Sequence, residues 1–277
     1  MTGPLVSVVV PAYNNEQFIA ETMRSVLDQS DVDLELIVAD HSSTDGTWDQ
    51  MQIFADDPRV RLLSTPAGGG AAANFNRVSR EARGTLLKLL PGDDYLLPGS
   101  LARQASAFAT DASVVMTASR RRLIDARGKT LVAAYGLKGV QGPMSGSAAV
   151  RHVVRSGSNV FGEPGSVLLR REILESVGFW DFSHPYLVDQ ATYVRVLLHG
   201  SFVPDRTPGA VFRLNLGQWS VALADEQFDQ VADFHRSMHQ LRPDIVRSQD
   251  VRIGNARAWL MAQQRRLTYR VLQRRMS

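Results

Sequence analysis

Residues 5–16 read LVSVVVPAYNNE, a short run of β-branched residues that ends in a proline and a polar cluster. Such a run predicts a buried strand, because a strand covered on both faces is apolar along its whole length. Similar runs follow at 36–39, 60–63 and 86–90, and segments with apolar residues at helical spacing lie between them. This alternation of strands and helices predicts an α/β fold with a parallel sheet and right-handed crossovers.

The composition excludes several classes of protein. Of the 277 residues, 44% are hydrophobic and 21% are charged, which is typical of a globular protein. The chain has no cysteine, so disulfides, thiolate metal sites and cysteine nucleophiles are excluded. No apolar run is long enough to span a bilayer and the first ten residues are too short for a signal peptide, so we expect a cytoplasmic protein.

The formal charge of +3 conceals two regions of opposite sign. Residues 251–277 contain seven arginines and no acid, whereas acidic side chains outnumber basic ones in the rest of the chain. We therefore expect no nucleic-acid binding by the body of the protein. Two interpretations of the basic tail stay open: a helix on an anionic membrane surface, or a helix that packs on the body or on a second copy through Leu260, Leu267 and Val271.

The regularity of the pattern divides the chain into parts. Residues 1–221 are expected to form one domain, with a regular half over about 1–112 and a less regular half over about 113–221. Residues 222–277 are expected to form a helical, arginine-rich extension. Residues 140–147 are rich in Gly, Ser and Pro and are expected to form a mobile loop, and the arginines at 120–122 are interpreted as a solvated strand end, with a grip on an anionic acceptor as the alternative.

Ligands bind beyond the carboxyl ends of the strands in a parallel α/β sheet, and three polar clusters follow strands here. In the first, Tyr13 is placed to stack on a flat group such as a base. In the second, Asp40 ends a strand and could accept a hydrogen bond from a base N–H. In the third, Asp93 and Asp94 follow a buried strand, and their oxygens suit Mg²⁺ or Mn²⁺ held together with a diphosphate.

Each cluster also has a purely local interpretation. The first would cap a helix through Asn14 and Asn15, the second would form a capped loop, and the third would form an Asp-rich turn before a helix. The combination of all three in one chain is more specific than any one of them alone.

Together these segments resemble the glycosyltransferases of family 2. The matching stretches are SVVVPAYNNE at 7–16, LIVAD at 36–40, STDGT at 43–47, NFNR at 74–77 and KLLPGDD at 88–94. The resemblance implies the GT-A fold, an α/β, Rossmann-like and mostly parallel sheet flanked by helices, followed here by the helical extension. It also implies that the first half binds a nucleotide-sugar and that the second half binds the acceptor.

The resemblance assigns roles to individual residues on the donor side. The residues expected to bind the nucleotide-sugar are Pro11, Tyr13, Glu16, Asp40, Asn76, Lys88, Gly92 and Asp93. The residues expected to hold a divalent metal, Mn²⁺ or Mg²⁺, are Asp93, Asp94 and Asn215. The chain departs from the family pattern at Pro91, where the first acid of the metal motif would stand, at His41, where an acid is frequent, and at Asn215, where a histidine is frequent.

Inverting transfer needs a base that deprotonates the acceptor hydroxyl and a cation that stabilises the leaving diphosphate. By resemblance the base is Asp189, which opens a predicted helix over 187–199. The residues expected to contact the acceptor or the diphosphate are Glu163, Asp181, Arg195 and Arg213. Without the resemblance, Asp189 would be an acid that stabilises a helix N-terminus, and the others would belong to turns and a packed strand.

The resemblance implies a metal-dependent, inverting glycosyltransferase that moves a sugar from a nucleotide-diphosphate donor, with UDP or dTDP favoured, to a hydroxyl of a saccharide or lipid-linked saccharide. The expected setting is synthesis of a bacterial cell-surface glycan, in the cytoplasm or peripherally on the inner face of the membrane, with the C-terminal helices contacting the membrane or forming a homodimer. One alternative is a nucleotide-sugar-binding protein without catalysis on the same fold, motivated by Pro91. Another is a nucleic-acid-binding module that uses the basic tail.

Overall fold

The computed structural model describes the backbone of residues 5–214 and 226–276, and the side chains of these ranges up to residue 264. Within these ranges a ten-stranded sheet forms the centre of the fold. Its strands are β1 (Val6–Ala12), β2 (Leu34–Asp40), β3 (Val60–Ser64), β4 (Leu86–Leu89), β5 (Tyr95–Leu96), β6 (Val114–Ile124), β7 (Thr130–Tyr135), β8 (Met144–Ser145), β9 (Val167–Arg170) and β10 (Ser201–Arg213).

Helices connect these strands and cover the sheet. They are α1 (Ile19–Leu27), α2 (Thr47–Gln52), α3 (Gly70–Arg80), α4 (Ser100–Thr110), α5 (Gly146–Ser156), α6 (Arg171–Ser176), α7 (Val188–Leu197), α8 (Gln227–Leu241) and α9 (Ser248–Met276). Two short 3-10 helices, Pro164–Ser166 and Pro185–Leu187, precede β9 and α7. None of the helices in the described part of the chain is long and apolar enough to cross a membrane.

The strand order is β3-β2-β1-β4-β9-β6-β10-β5, with β7 beside β6 and β8 beside β10. The four strands β3, β2, β1 and β4 run parallel, and β6 runs parallel to β10. Strand β9 runs antiparallel to both β4 and β6 and so joins the two halves of the sheet. This arrangement confirms the predicted α/β class, with a parallel sheet in the first half.

The core lies on both faces of the sheet. Val8 and Val9 are fully buried neighbours on β1, yet they belong to two different apolar clusters. The split follows from the strand geometry, since successive side chains point to opposite faces. The larger cluster includes the apolar residues of α5, α7 and α8, so the helical extension is part of the same core.

The predicted loop over 140–147 is wrong for residues 144–147, whereas residues 140–143 lie outside the helices and strands. Strand β8 pairs with β10 in this segment, and α5 begins at Gly146 with the Ser145 hydroxyl capping its first turn. A Cβ atom at Gly146 would overlap the Leu197 carbonyl oxygen. The glycine is therefore needed for the close approach of two backbones, and the composition of the segment reflects packing and not mobility.

The extension packs on the second half mainly through α5. Asp250, at the start of α9, is fully buried and accepts hydrogen bonds from Arg151 (2.9 Å) and Arg155 (2.6 Å) of α5. Leu260 does not pack on the body as one interpretation required, because 54% of it is exposed, and the small residue Ala258 is buried instead. The side chains of Leu267 and Val271 lie outside the described residues. Small residues at the contact let the two helices approach closely, which larger side chains would prevent.

Gly254 gives a direct test of this contact. A Cβ atom there would overlap the Val154 carbonyl oxygen of α5, so we expect Gly254→Ala to lower the free energy of unfolding by about 1–3 kcal/mol. Chemical denaturation followed by circular dichroism measures the change. Gly142→Ala is the matched control, because a Cβ atom at Gly142 meets nothing within 4 Å. A gain in stability for Gly254→Ala, as helix propensity alone predicts, would contradict the close contact.

Candidate active site

A cleft of about 670 Å³ opens beyond the carboxyl ends of β1 and β4. All three predicted parts of the chain contribute to its walls. The contributors include Pro11, Tyr13, Gly92 and Asp93 from the first half, Arg121, Glu163, Asp189 and Gln190 from the second half, and Gln227, Val231 and Met261 from the extension. Both predicted halves thus meet at one site, and the extension closes part of it.

The polar clusters after β1 and β2 hold each other in place. The backbone N–H of Asn14 donates to the Ser43 hydroxyl at 2.9 Å, and that of Asn15 donates to the Thr47 hydroxyl at 2.7 Å. Asp40 is buried and accepts hydrogen bonds from the backbone N–H and the hydroxyl of Ser43. Several polar side chains of these motifs therefore form hydrogen bonds that hold two loops at the edge of the cleft.

The predicted donor-binding residues divide into two groups. Pro11, Tyr13, Gly92 and Asp93 border the cleft, as expected, and Tyr13 is half exposed. Asp40 ends β2 and Glu16 lies in the loop after β1, but neither lines the cleft; the backbone N–H of Glu16 donates to Asp45 at 3.2 Å.

The structure does not bring Lys88 and Asn76 to the cleft. The Lys88 ammonium is buried and donates to the carbonyls of Gly165 (2.9 Å) and Val167 (3.0 Å), and burial lowers its pKa to about 7. Asn76 accepts a hydrogen bond from the backbone N–H of Trp180 at 2.9 Å. Both side chains join the first half to the second. Lys88 does not reach the cleft because it lies within β4 and not after its carboxyl end.

The metal residues fit the prediction only in part. Asp93 borders the cleft, whereas Asp94 is buried and its Oδ1 accepts the backbone N–H of Arg213 at 3.0 Å. Burial, with the nearby charge of Asp93, raises the Asp94 pKa well above its usual range, and Asp94 does not line the cleft. Asn215 lies outside the described residues. Among the residues that are described, no group of three or more His, Asp or Glu side chains could hold a metal ion.

A single cleft carboxylate still fits one kind of metal binding. Mg²⁺ is commonly held by one or two carboxylates together with the phosphates of a substrate, while water completes its shell. Asp93 fits that pattern if the donor supplies a diphosphate. The Arg213 Nε donates to the Asp93 carbonyl at 3.1 Å and its Nη2 pairs with Glu21 at 2.7 Å, so Arg213 supports the backbone of this acid and does not line the cleft.

Asp189, at the start of α7, lines the cleft, as does Glu163, another acid of the second half. Its Oδ2 accepts a hydrogen bond from the Asn159 amide at 2.7 Å, and its Oδ1 accepts the backbone N–H of Gln190 at 2.8 Å. Desolvation raises its pKa to about 7; the Glu163 charge adds to the rise, and the Gln190 N–H and Arg121 oppose it. A carboxyl group with such a pKa is suited to take up a proton near neutral pH.

An ion pair lies beside Asp189. Arg121 is buried, pairs with Glu163 and lies 4.9 Å from the ring centroid of Tyr135. The interpretation of residues 120–122 as a solvated strand end is therefore wrong for Arg121, whose side chain is enclosed while its neighbours are half-buried. Strand alternation could not have indicated this, because β6 is buried on both faces from Val114 to Ser119.

Two other predicted contacts lie away from the cleft. Asp181 pairs with Arg195 at 3.4 Å, and its Oδ1 also accepts the backbone N–H of Ser183 at 2.9 Å. Neither residue lines the cleft. Conversely, no motif in the sequence indicated Asn159, Gln190 or Gln227, since isolated amides without spacing or periodicity carry no local pattern.

Comparison with known proteins places the chain in a family. The sequence profile of Glycosyl transferase family 2 matches residues 7–178. The match includes both loops of the donor side and ends before Asp189, Gln190 and Gln227.

Curated relatives match parts of the chain. An uncharacterized protein of Mycobacterium tuberculosis is 33% identical over 212 residues, covering 73% of this chain and 65% of the relative. The chondroitin synthase of Pasteurella multocida is 34% identical over 133 residues, covering 48% of this chain and 14% of that enzyme. A putative teichuronic acid biosynthesis glycosyltransferase of Bacillus subtilis is 38% identical over 102 residues, covering 36% of this chain and 40% of the relative. The matches thus span less than two thirds of these relatives.

Solved structures share the fold. The mannosyltransferase PcManGT of Pyrobaculum calidifontis, in complex with GDP-Man and Mn²⁺, superimposes with a TM-score of 0.67 at 18% identity, covering 97% of this chain and 76% of that one. S. aureus TarS 1–349, in complex with UDP-GlcNAc, superimposes with a TM-score of 0.64 at 17% identity, covering 84% of this chain and 66% of that one. At these identities the likeness concerns the fold, which is that of GT-A glycosyltransferases.

The charges around Asp189 predict its titration. We expect its carboxyl group to titrate with a midpoint of about 7, and Glu163→Gln to lower that midpoint, because the substitution removes a negative charge and leaves the Arg121 charge. Carboxyl ¹³C NMR, assigned through the signal missing in Asp189→Asn, measures both values. Glu81→Gln, on the opposite edge of the first half, should leave the midpoint unchanged. A wild-type midpoint near 4 would contradict the burial argument.

Proposed function

This chain belongs to glycosyl transferase family 2, and we propose that it transfers a sugar from a nucleotide-diphosphate donor to a hydroxyl of a saccharide acceptor with inversion. The observation that supports this most is that Asp93 from the first half and Asp189 from the second border the same cleft. Asp93 could hold a cation against the leaving diphosphate, and Asp189 could accept the proton of the incoming hydroxyl. A single displacement at the anomeric carbon requires these two functions, a cation and a base.

The donor is proposed to bind at the loops after β1 and β2. Tyr13 offers an exposed aromatic face to a base, and Pro11 forms the floor beside it. Asp40, held by Ser43 at the end of β2, lies beside this position and is the proposed partner of a base N–H. We favour UDP or dTDP; the related folds include one protein bound to UDP-GlcNAc and one bound to GDP-Man.

Asp189 is the proposed general base. Its carboxylate takes the proton of the acceptor hydroxyl as that oxygen bonds to the anomeric carbon, while the bond from this carbon to the diphosphate oxygen breaks on the opposite face. The hydrogen bonds from Asn159 and from the Gln190 N–H fix both carboxylate oxygens, so the base is oriented before substrate binds. Because the acceptor attacks opposite the leaving group, the product has the inverted configuration.

The leaving group is proposed to be stabilised at Asp93. This residue would hold Mn²⁺ or Mg²⁺ together with the donor diphosphate, and the metal would supply positive charge against the charge that develops there. Asp94 is not part of this proposal, because its carboxyl group is buried and favours the neutral form. The metal would therefore bind weakly without the donor.

The biological setting is proposed from the relatives. Several are synthases of chondroitin or hyaluronan or act in teichuronic acid biosynthesis, so we propose a role in bacterial cell-surface glycan synthesis. A peripheral membrane position, with a lipid-linked acceptor, is supported by the exposed Trp259 and Leu260 on a helix segment without acids after Asp250.

A thermal-shift panel of nucleotide-sugars tests the donor and the metal together. We expect one donor to raise the melting temperature, and Mn²⁺ to increase the shift with that donor while producing little shift alone. The reason is that, among the described residues, Asp93 is the one carboxylate on the donor side of the cleft. The same donor should support transfer in a coupled assay that detects the released nucleoside diphosphate. Donor binding without transfer or hydrolysis, over a broad acceptor panel, would favour the alternative of a non-catalytic nucleotide-sugar-binding protein.

Removal of the base should abolish transfer without loss of donor binding. We expect Asp189→Asn to lower the turnover number by at least about 100-fold, because proton removal from the acceptor is lost. Since the raised pKa means that the acid form predominates below pH 7, the wild-type rate should increase with pH through about 7. The exposed Asp49 of α2 provides the control Asp49→Asn. Near-normal transfer by Asp189→Asn would show that another group is the base.

A further inference from the structure

We propose that Gln190 and Gln227 form an acceptor subsite beside Asp189 that binds an uncharged, hydroxyl-rich sugar unit. The inference rests on the proposed function, because it names the class of acceptor that the transferase would use. Gln190 follows the proposed base on α7, and Gln227 is the first residue of α8. Both residues border the cleft.

Both amides are buried while part of their hydrogen-bonding capacity is unused. Gln190 is 1% exposed and Gln227 is 4% exposed. Within the described ranges, the Oε1 and Nε2 atoms of Gln190 and the Oε1 atom of Gln227 have no hydrogen-bond partner. Buried polar groups in folded proteins are nearly always satisfied. Three polar atoms without hydrogen-bond partners, on two residues that line one cleft, therefore indicate a polar ligand that supplies the partners.

The chemistry of an amide matches that of a sugar hydroxyl. The Oε1 atom accepts a hydrogen bond and the Nε2 group donates one, and a hydroxyl can take both complementary roles. A carboxylate could only accept from these residues, and an ammonium group could only donate to them. Two neutral amides with unused donor and acceptor atoms thus favour a ligand with several hydroxyl groups.

The charges of the cleft disfavour an acidic sugar at this position. Asp189 and Glu163 lie on this side of the cleft, and Asp93 lies on the donor side. Of the described cleft-lining residues, the basic one is Arg121, and it is already paired with Glu163. An anionic sugar would meet uncompensated negative charge, whereas a neutral one would not.

The two glutamines are held on a fixed frame. The Gln230 side chain of α8 accepts the backbone N–H of Tyr186 at 2.7 Å, which ties α8 to the 3-10 turn that leads into α7. The His235 ring of α8 makes a 2.7 Å hydrogen bond with Asn255 of α9, so α8 is also tied to the second helix of the extension. A subsite built on anchored helices needs little rearrangement on binding.

Saturation-transfer NMR with a panel of neutral p-nitrophenyl hexosides and their uronide counterparts tests the subsite on the full chain. We expect at least one neutral hexoside to bind, and Gln190→Met and Gln227→Met each to weaken that binding about tenfold or more. Methionine keeps the size of the side chain but removes the amide. Because the amides lack protein partners, both variants should melt at the same temperature as the wild type or higher.

Gln104 provides the matched control, since it is buried with an unpartnered Oε1 but does not line the cleft. Gln104→Met should leave hexoside binding unchanged. The inference is overturned if no neutral hexoside binds, if the uronides bind more tightly than the hexosides, or if both cleft variants bind like the wild type. The nucleotide-sugar thermal shift on the same preparation separates the two failures: a donor shift without hexoside binding rejects the subsite alone, and no donor shift rejects the proposed function.

Discussion

The antiparallel pairing of β9 with β4 and β6 joins the two halves of the molecule, and the cleft depends on it. Leu169 of β9 lies between Leu87 of β4 and Met116 of β6, so the two parallel sets of strands become one sheet. The buried Lys88 ammonium secures the start of β9 by bonding to the carbonyls of Val167, its first residue, and of Gly165 in the preceding 3-10 helix. This junction fixes the segment that carries Glu163 opposite the polar end of β4, where Asp93 lies.

Burial and neighbouring charges shift the pKa values of two acids, Asp94 and Asp189. Asp94 and Asp189 both have raised pKa values, because each is withdrawn from water close to another acid. The two carboxyl groups differ in whether they are accessible from the cleft. Asp94 is enclosed against the Arg213 backbone and serves the fold, whereas Asp189 keeps a face on the cleft. Since the Asp189 pKa is higher in the folded state than in the unfolded one, its contribution to stability is full below about pH 4 and is lost as the pH rises through about 7. The ionised form of Asp189 therefore lowers the stability of the folded protein, as is common at functional sites.

The family match covers only some of the segments that line the cleft. The match covers the loops after β1, β2 and β4 and ends at residue 178. Asp189, the proposed base, and the glutamines Gln190 and Gln227 of α7 and α8 follow that point. Under the proposed function, donor handling belongs to the shared part of the chain, and acceptor choice belongs to α7 and to a helix of the C-terminal extension that packs into the same core.

The sequence by itself determined the α/β class, the order of strands and helices in the first half, and the placement of Tyr13, Asp93 and Asp189 near the ends of elements. These features follow from local rules, since strand burial, helix spacing and the polar ends of strands are written in neighbouring residues. Only the tertiary structure decided which polar groups face the cleft. Lys88, Asn76 and Arg213 are turned to backbone partners of the other half, while Arg121, Asn159, Gln190 and Gln227 come to the cleft from distant segments. The reason is that a polar side chain reaches its final environment through contacts with residues far away in the chain, and no local pattern records which of those contacts will form.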